Sequence, residues 1–291
     1  MPTAQIVDNR WVSVAVLIVN YHTYDALDRC LTSLRPFVHD SDEVVVVDWE
    51  SDAAPRGQLE AAHPGVRWIP REDNRGFSAG VNLAVAATSA PTLLLLNPDT
   101  EVEGPVTRDL ERWLAANPDS AVAGPQVLNR DGTVQPSARR FPGVSTVLGG
   151  RSTWLTRRFP NNWFSRRNLL RPDSAASGST EVDWLAGSCF ATRRDVFLRL
   201  GGLDESFFMY WEDADYCRRA AALGLRCHYL PATTVRHTGG VSSAHNVVPS
   251  IRAFHQSAFH LYWKHTRFGR VFAPVVWLGL RLRAEAKIVF R

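Results

Sequence analysis

The chain has 291 residues, 45% of them hydrophobic and 21% charged, with 33 Lys and Arg against 29 Asp and Glu for a net charge of +4. That length and apolar content suit a globular protein with one large core, or a main domain with a smaller appendage. The four cysteines, Cys30, Cys189, Cys217 and Cys227, lack the two-residue gap of a zinc knuckle or redox pair, and a reducing cytosol is the expected compartment.

The opening MPTAQIVDNR is polar and lacks the basic start, apolar run and cleavage site of a secretory signal, so export by that route is not expected. No apolar run reaches the roughly 18–20 residues needed to cross a bilayer as a helix. The charge is uneven. From Ile251 onward eight basic residues face Glu285 alone, and the acid-free stretch from Gly132 to Pro172 holds eight arginines.

Val12 to Val19 is a β-branched apolar run, as in a parallel strand buried on both faces. Thr23 then caps a helix with Leu27, Cys30, Leu31 and Leu34 at helical spacing, ended by Pro36. Glu43–Asp48 and Val66–Pro70 read as the next strands. The loop REDNRGFSAG leads into a helix reaching about Thr88, and Thr92–Leu96 is a strand whose end carries Asn97, Pro98 and Asp99. Pro105 opens a helix with Val106, Leu110, Trp113 and Leu114 on one face. This alternation predicts an α/β fold: an open, mostly parallel sheet with helices on both faces and ligands beyond the strands' carboxyl ends.

Past Ala121 the pattern predicts a strand at Val122–Val127, an Asp131-Gly132 turn and one strand through Glu181–Ala191. Helices follow at about Arg194–Leu200 and Glu212–Leu223, and the chain is helical from Pro249 onward.

Three segments carry candidate chemistry. Asp99, where a buried strand meets solvent, can hold a hard divalent cation that also needs diphosphate oxygens; an Asp in an ordinary turn is the plain alternative. Glu212, Asp213 and Asp215 enter a helix behind Phe207, Phe208, Tyr210 and Trp211. Acids in a first helical turn also satisfy the helix dipole, but apolar neighbours raise a carboxylate pKa and make a better general base. His237 ends a strand before Gly-Gly and can complete an Asp–His metal site. Asn74, Gly76, Gly80 and Asn82 form a loop-to-helix junction able to approach phosphate or ribose oxygens, without a dinucleotide fingerprint or P-loop lysine.

The ordered series VNYHTYDALDRCLTSL, VVVVDWES, NRGFSAGVN, LLLLNPDTEV, PSARRFP, WLAGSCFATRR, GGLDESFFMYWEDADYCRRAAALG and VRH resembles glycosyltransferase family 2 of the GT-A fold, and within it the bacterial rhamnosyltransferases. The resemblance runs from about Val12 to His245. It implies a catalytic domain over residues 1–245, with a donor half at about 12–127 and an acceptor half at about 128–245. Residues 246–291 then form a C-terminal helical segment at the membrane surface.

By the same resemblance Asp48 pairs with the pyrimidine base, with Asn20 and Tyr21 in that pocket. Asn74, Arg75, Gly76, Gly80 and Asn82 bound the ribose and diphosphate. Asn97-Pro98-Asp99 stands for the metal motif, leaving Asp99 and His237 to hold Mg²⁺ or Mn²⁺. Asp213 is the catalytic base, and Glu212, Trp184, Gly187 and Ser188 border the acceptor pocket. Two departures stand out: Trp49 follows Asp48 where the family has Asn, and Asn97 replaces the first Asp.

The activity implied is inverting transfer of a sugar from a dTDP-sugar, with dTDP-rhamnose favoured, to a polyprenyl-diphosphate-linked saccharide. The expected location is cytoplasmic, peripheral on the inner face of the cell membrane. A nucleotidyltransferase or sugar-nucleotide-binding protein is the alternative on a similar fold. Nucleic-acid binding would account for the arginines but not for Asp99 and Asp213, and no nucleic-acid partner is expected.

Overall fold

Residues 13–142, 158–159, 178–239, 247–267 and 269–290 are described by the computed structural model. β1 (Val14–Tyr21) is buried on both faces: Val14, Val16 and Ile18 enter one hydrophobic cluster, and Ala15, Leu17 and Val19 the other. That burial explains why its sequence shows no polar alternation. Around it lie α1 (Tyr24–Leu34), β2 (Glu43–Trp49), α2 (Ala53–Ala62), β3 (Val66–Arg71), α3 (Phe77–Ala86) and β4 (Thr92–Leu96). The four strands pair in parallel in the order β3-β2-β1-β4, so their carboxyl ends share one edge.

The second half changes direction. It contains β5 (Thr100–Val102), α4 (Val106–Ala116), β6 (Ser120–Leu128), β7 (Val134–Gln135), β8 (Ala138–Arg139), β9 (Thr180–Val182), β10 (Trp184–Leu185) and β11 (Cys189–Arg193). It continues through α5 (Arg194–Arg199), α6 (Glu212–Ala222) and β12 (Arg226–His237) to α7 (Val247–His265) and α8 (Ala273–Val289). β11 runs antiparallel to β4 and β6, β12 runs parallel to β6, and β5 closes the far edge antiparallel to β12. The parallel sheet of the first half thus becomes a mixed sheet in the second.

One sequence expectation is corrected. Glu181–Ala191 is not one strand but three short ones in two sheets. Trp184–Leu185 pairs with Arg139 and Ala138 in a separate two-stranded sheet, while Cys189–Arg193 returns to β4. The Ala186–Ser188 turn permits the switch, with the Ala186 N–H on the Ser137 carbonyl. Thr23 stands at the start of α1, yet its hydroxyl donates to Asn20 rather than capping the helix. The basic-aromatic stretch Trp154–Leu170 lies largely outside the described residues, as do Val12 and 240–246.

Among the described residues no helix is long and apolar enough to cross a membrane. Helix α7 packs against the segment leading into α6. The Trp211 indole donates to the Phe254 carbonyl at 3.2 Å, and the Ser257 hydroxyl donates to the Met209 carbonyl at 2.9 Å. Asp215, wholly buried in α6, accepts from Arg219, Lys264 and His265 at 2.8, 2.8 and 2.7 Å. Of the three acids that open α6, Asp215 therefore ties α7 to α6.

Candidate active site

The carboxyl ends of β1 and β2 are joined by a buried polar network. Asn20 ends β1 and donates to Asp48 Oδ1 at 2.7 Å, while its own carbonyl accepts from the Thr23 amide and hydroxyl. Asp48 Oδ2 accepts from the Tyr24 and Ser51 hydroxyls at 3.0 and 2.5 Å. Asn20 and Asp48 are both fully buried. Asn20 thus holds Asp48 in place, and Tyr24 and Ser51 join the two in this network. Tyr21, half-buried at the strand end, reaches Glu50 at 3.4 Å.

The loop into α3 is pinned from three sides. Asn74 Oδ1 accepts from the Gly76 amide, the Trp49 indole donates to the Gly76 carbonyl, and the Phe77 amide donates to the Phe208 carbonyl at 2.7 Å. Gly76 has φ +91°, and a Cβ there would fall 2.2 Å from the Phe208 carbonyl oxygen, so only glycine fits. Trp49, at the position of the family's Asn, becomes the buried peg under this loop.

Gly80 serves packing, because a Cβ would sit 2.8 Å from both Val19 methyls. Asn82 holds the backbone of Leu203 through both of its amide groups and also donates to Glu205 at 3.1 Å. Arg75, exposed, pairs with Glu205 at 3.3 Å. Trp49, Arg71, Asp73, Arg75, Asn82 and Glu205 are among the residues lining a cavity of about 370 Å³ beside α3.

At the other side of the sheet edge, Asp99 Oδ1 lies 3.1 Å from His237 Nε2, with the side chains 6% and 13% exposed. β12 and β5 bring them together through the His237–Thr100 register, and the Thr238 amide donates to the Asp99 carbonyl. The pair fits a small divalent cation. Its donors are a carboxylate oxygen and an imidazole nitrogen, spaced close to the roughly 3 Å between neighbouring ligands of an octahedral ion with bonds of about 2.0–2.1 Å. Among the described residues no group of three or more His, Cys, Asp or Glu forms a self-sufficient metal cage. A cation held by this pair would need further ligands, as Mg²⁺ beside phosphates usually takes from phosphate oxygens and water.

Asp99 and Asp213 are linked through one turn. The Asn97 amide and the Thr100 hydroxyl both donate to the Ser188 carbonyl, and the neighbouring Gly187 amide donates to Asp213 Oδ2 at 2.8 Å. Asp213 Oδ1 accepts from the Ala214 amide at 2.7 Å. Burial raises the Asp213 pKa; the two amides and the Arg139 charge pull against it. Glu212 beside it is pushed well above the ordinary carboxylate value, by burial first and the Asp213 charge second. Its Oε2 is buried without a hydrogen-bond partner among the described residues, as is the Ser188 hydroxyl. Such orphaned polar groups are costly in a closed core and expected in a pocket built for a polar ligand.

The backbone before these acids is strained. Tyr210 and Trp211 both have φ +71°, a left-handed conformation costing non-glycine residues about 1–3 kcal/mol each. Phe254 of α7 holds both, with ring centroids 5.6 and 5.3 Å away, and Trp184 packs at a tilt against Trp211, centroids 5.9 Å apart. Arg139 lies over the Trp184 ring at 4.9 Å. Sequence reasoning assigned it no role, and PSARRFP was the only signal for it.

Comparison with known proteins follows this geometry. The model of "Glycosyl transferase family 2" matches residues 15–201. The N-acetylglucosaminyl-diphospho-decaprenol L-rhamnosyltransferase of Mycobacterium tuberculosis is 30% identical over 94% of this chain and 92% of its own. Among solved structures, GalNAc-T7 with UDP, GalNAc and Mn²⁺ aligns with TM-score 0.60 at 18% identity, covering 79% of this chain and 44% of that one. The mannosyltransferase PcManGT of Pyrobaculum calidifontis with GDP-Man and Mn²⁺ aligns with TM-score 0.59 at 17% identity, covering 94% and 68%. At those identities the two structures speak for the GT-A fold alone. With a family match over more than half its length and a relative similar along nearly all of it, the chain belongs to glycosyltransferase family 2 and is a GT-A glycosyltransferase.

Proposed function

We propose that the protein is an inverting, metal-dependent rhamnosyltransferase that moves rhamnose from dTDP-rhamnose to a polyprenyl-diphosphate-linked saccharide at the inner face of the cell membrane. The observation that carries this reading is the single turn, Gly187-Ser188, that bonds the Asp213 carboxylate on one side and the Asn97–Thr100 segment on the other. A base and a leaving-group site on opposite flanks of one turn suit in-line displacement. The choice of donor and acceptor is supported by the mycobacterial relative, whose name gives an L-rhamnosyl group and an N-acetylglucosaminyl-diphospho-decaprenol.

Asp213 accepts the proton of the acceptor hydroxyl as that oxygen bonds to the anomeric carbon and the bond to the diphosphate breaks. Gly187 and Ala214 donate to the carboxylate and fix its position, and burial keeps it basic enough for the transfer. Glu212 beside it, whose pKa burial and the Asp213 charge raise, can in its neutral form donate its proton in a hydrogen bond to the acceptor. Asp99 and His237 would hold a divalent cation whose charge stabilises the departing diphosphate.

The C-terminal helices supply the proposed membrane contact. Val271, Phe272, Val275, Leu278, Leu282 and Phe290 are all exposed, beside Arg270, Arg281 and Arg283. That mixture suits an interfacial helix drawn to anionic headgroups.

The test is incubation with a panel of sugar nucleotides, Mn²⁺ and a polyprenyl-diphosphate-linked GlcNAc. Release of dTDP from dTDP-rhamnose, lost on chelation, is expected. Pyrophosphate release, or binding without turnover of any donor, would overturn the reading in favour of a nucleotidyltransferase or a sugar-nucleotide-binding protein.

A further inference from the structure

The hairpin between β6 and β7 carries a chain of side-chain hydrogen bonds that ends on His237. Asp131 Oδ1 accepts from the Thr133 hydroxyl at 2.6 Å, and Thr133 Oγ1 accepts from Asn129 Nδ2 at 2.9 Å. Asn129 Oδ1 accepts from Gln135 Nε2 at 3.0 Å, and Gln135 Oε1 faces His237 Nδ1 at 2.8 Å. The turn that folds these residues together is local: Gly132 has φ +80°, and the Asn129 amide donates to the Thr133 carbonyl. Arg236, next to His237, clamps the hairpin through the Asn129 and Arg130 carbonyls.

The chain has a direction, and one end sets it. An amide side chain can present either its oxygen or its nitrogen, so two linked amides alone permit both polarities. An ionised carboxylate can only accept. At 2.6 Å the Thr133 hydroxyl must therefore give its hydrogen to Asp131, which leaves Thr133 Oγ1 as an acceptor for Asn129. Asn129 must then turn its oxygen to Gln135, and Gln135 its oxygen to the imidazole. His237 Nδ1 has to carry the hydrogen, which leaves Nε2, 3.1 Å from Asp99 Oδ1, to meet that carboxylate through a shared cation or a second ring proton. Reversing the chain would place the Thr133 and Asp131 oxygens against each other with no hydrogen between them.

We infer that Asp131, Thr133, Asn129 and Gln135 are positioning residues: they lock His237 in the Nδ1–H tautomer, so that Nε2 faces Asp99 as a ready metal ligand. The inference rests on the proposed role of Asp99 and His237. Metal-binding histidines are commonly oriented by a partner on the other ring nitrogen, and loss of that partner typically costs about 10- to 100-fold in metal affinity. Here the orienting charge sits at an exposed hairpin tip, four side chains from the ring.

The test has two readouts. Long-range ¹H–¹⁵N NMR on the metal-free full chain reads which His237 ring nitrogens carry hydrogen. Calorimetric titration with Mn²⁺ in the presence of dTDP reads affinity. The wild type is expected to show Nδ1–H. Gln135→Leu is expected to lose the single tautomer and about 10- to 100-fold in Mn²⁺ affinity, while Gln135→Glu keeps an acceptor at Nδ1 and restores both. Asp131→Asn, an exposed change that keeps the fold even if Gln135→Leu does not, is expected to let the second tautomer appear.

An Nε2–H wild type overturns the inference, as does a wild-type tautomer in both Gln135→Leu and Asp131→Asn. Unchanged Mn²⁺ affinity in His237→Ala would instead sink the metal reading, which the tautomer result does not depend on. Loss in His237→Ala with none in a folded Gln135→Leu would sink the relay alone.

Discussion

Replacing Asp213 with Asn tests the proposed base against two opposing effects on stability. Asp213 accepts the Gly187 amide on one oxygen and the Ala214 amide on the other. Asn has one oxygen, so its amide nitrogen must face one of these N–H groups. An orphaned buried donor costs about 1–3 kcal/mol. Against this, the substitution removes a buried charge that raises the Glu212 pKa. The net change is at most about 3 kcal/mol, a fall in Tm of no more than roughly 12 °C for a domain of this size, so the variant is folded at assay temperature. Loss of a general base lowers turnover by about 10²- to 10⁴-fold, or about 3–5 kcal/mol of barrier. The assay is dTDP release with donor affinity measured alongside. Turnover within a few-fold of wild type, in a folded variant with unchanged donor binding, would refute Asp213 as the base.

Glu212→Gln is expected to stabilise the protein at neutral pH. The folded-state pKa of Glu212 is raised, so the stability its neutral form confers is complete below the ordinary value of 4.5 and is lost as pH rises through the folded pKa. The Tm gap between variant and wild type should therefore widen as pH rises and close in acid; a gap independent of pH would contradict the raised pKa. Asp215, whose pKa is lowered chiefly by Lys264 and Arg219 working against burial, has the opposite sign. Its anchoring of α7 is expected to fail as pH falls, and removing the carboxylate in Asp215→Asn should flatten the acid limb of the melting profile. Deleting residues 268–291 is expected to abolish sedimentation with anionic vesicles, worth about 1 kcal/mol per basic residue near the surface, and to spare donor binding. If the truncated protein unfolds, α8 belongs to the core, and if it still binds vesicles with unchanged salt dependence, the membrane role of this tail is wrong.

What could be read from the sequence follows from how local the signal is. The parallel donor half was legible because buried strands such as Val14–Tyr21 and Thr92–Leu96 are short apolar runs bounded by polar turns. Asp99, His237 and Asp213 could be singled out because each stands at the end of a strand or the start of a helix, where the pattern changes. The roles of Asn20, Gly80 and Asn82 could not be read, because a polar or small residue in a motif looks the same whether it touches a ligand or braces a neighbour. Asn20 is distinguished only by its bond to Asp48, 28 residues away, and Asn82 by its bonds to Leu203, 121 residues away. Trp184–Leu185 reads as strand in any sheet, and only pairing with Ala138–Arg139 reveals the second one. Gln135 gave no pattern and Arg139 only its place in PSARRFP, since their roles arise from the hydrogen bond of Gln135 to His237, and from the position of Arg139 over Trp184 and its charge near Asp213.

The central claim is a single in-line displacement with Asp213 as base, and the anomeric configuration of the product tests it most directly. Transfer of rhamnose from dTDP-rhamnose to the lipid-linked acceptor, followed by NMR of the isolated product, should give a linkage of opposite anomeric configuration to the donor. A product that retains the donor's configuration would mean two displacements through a covalent or ion-pair intermediate, and would contradict the account.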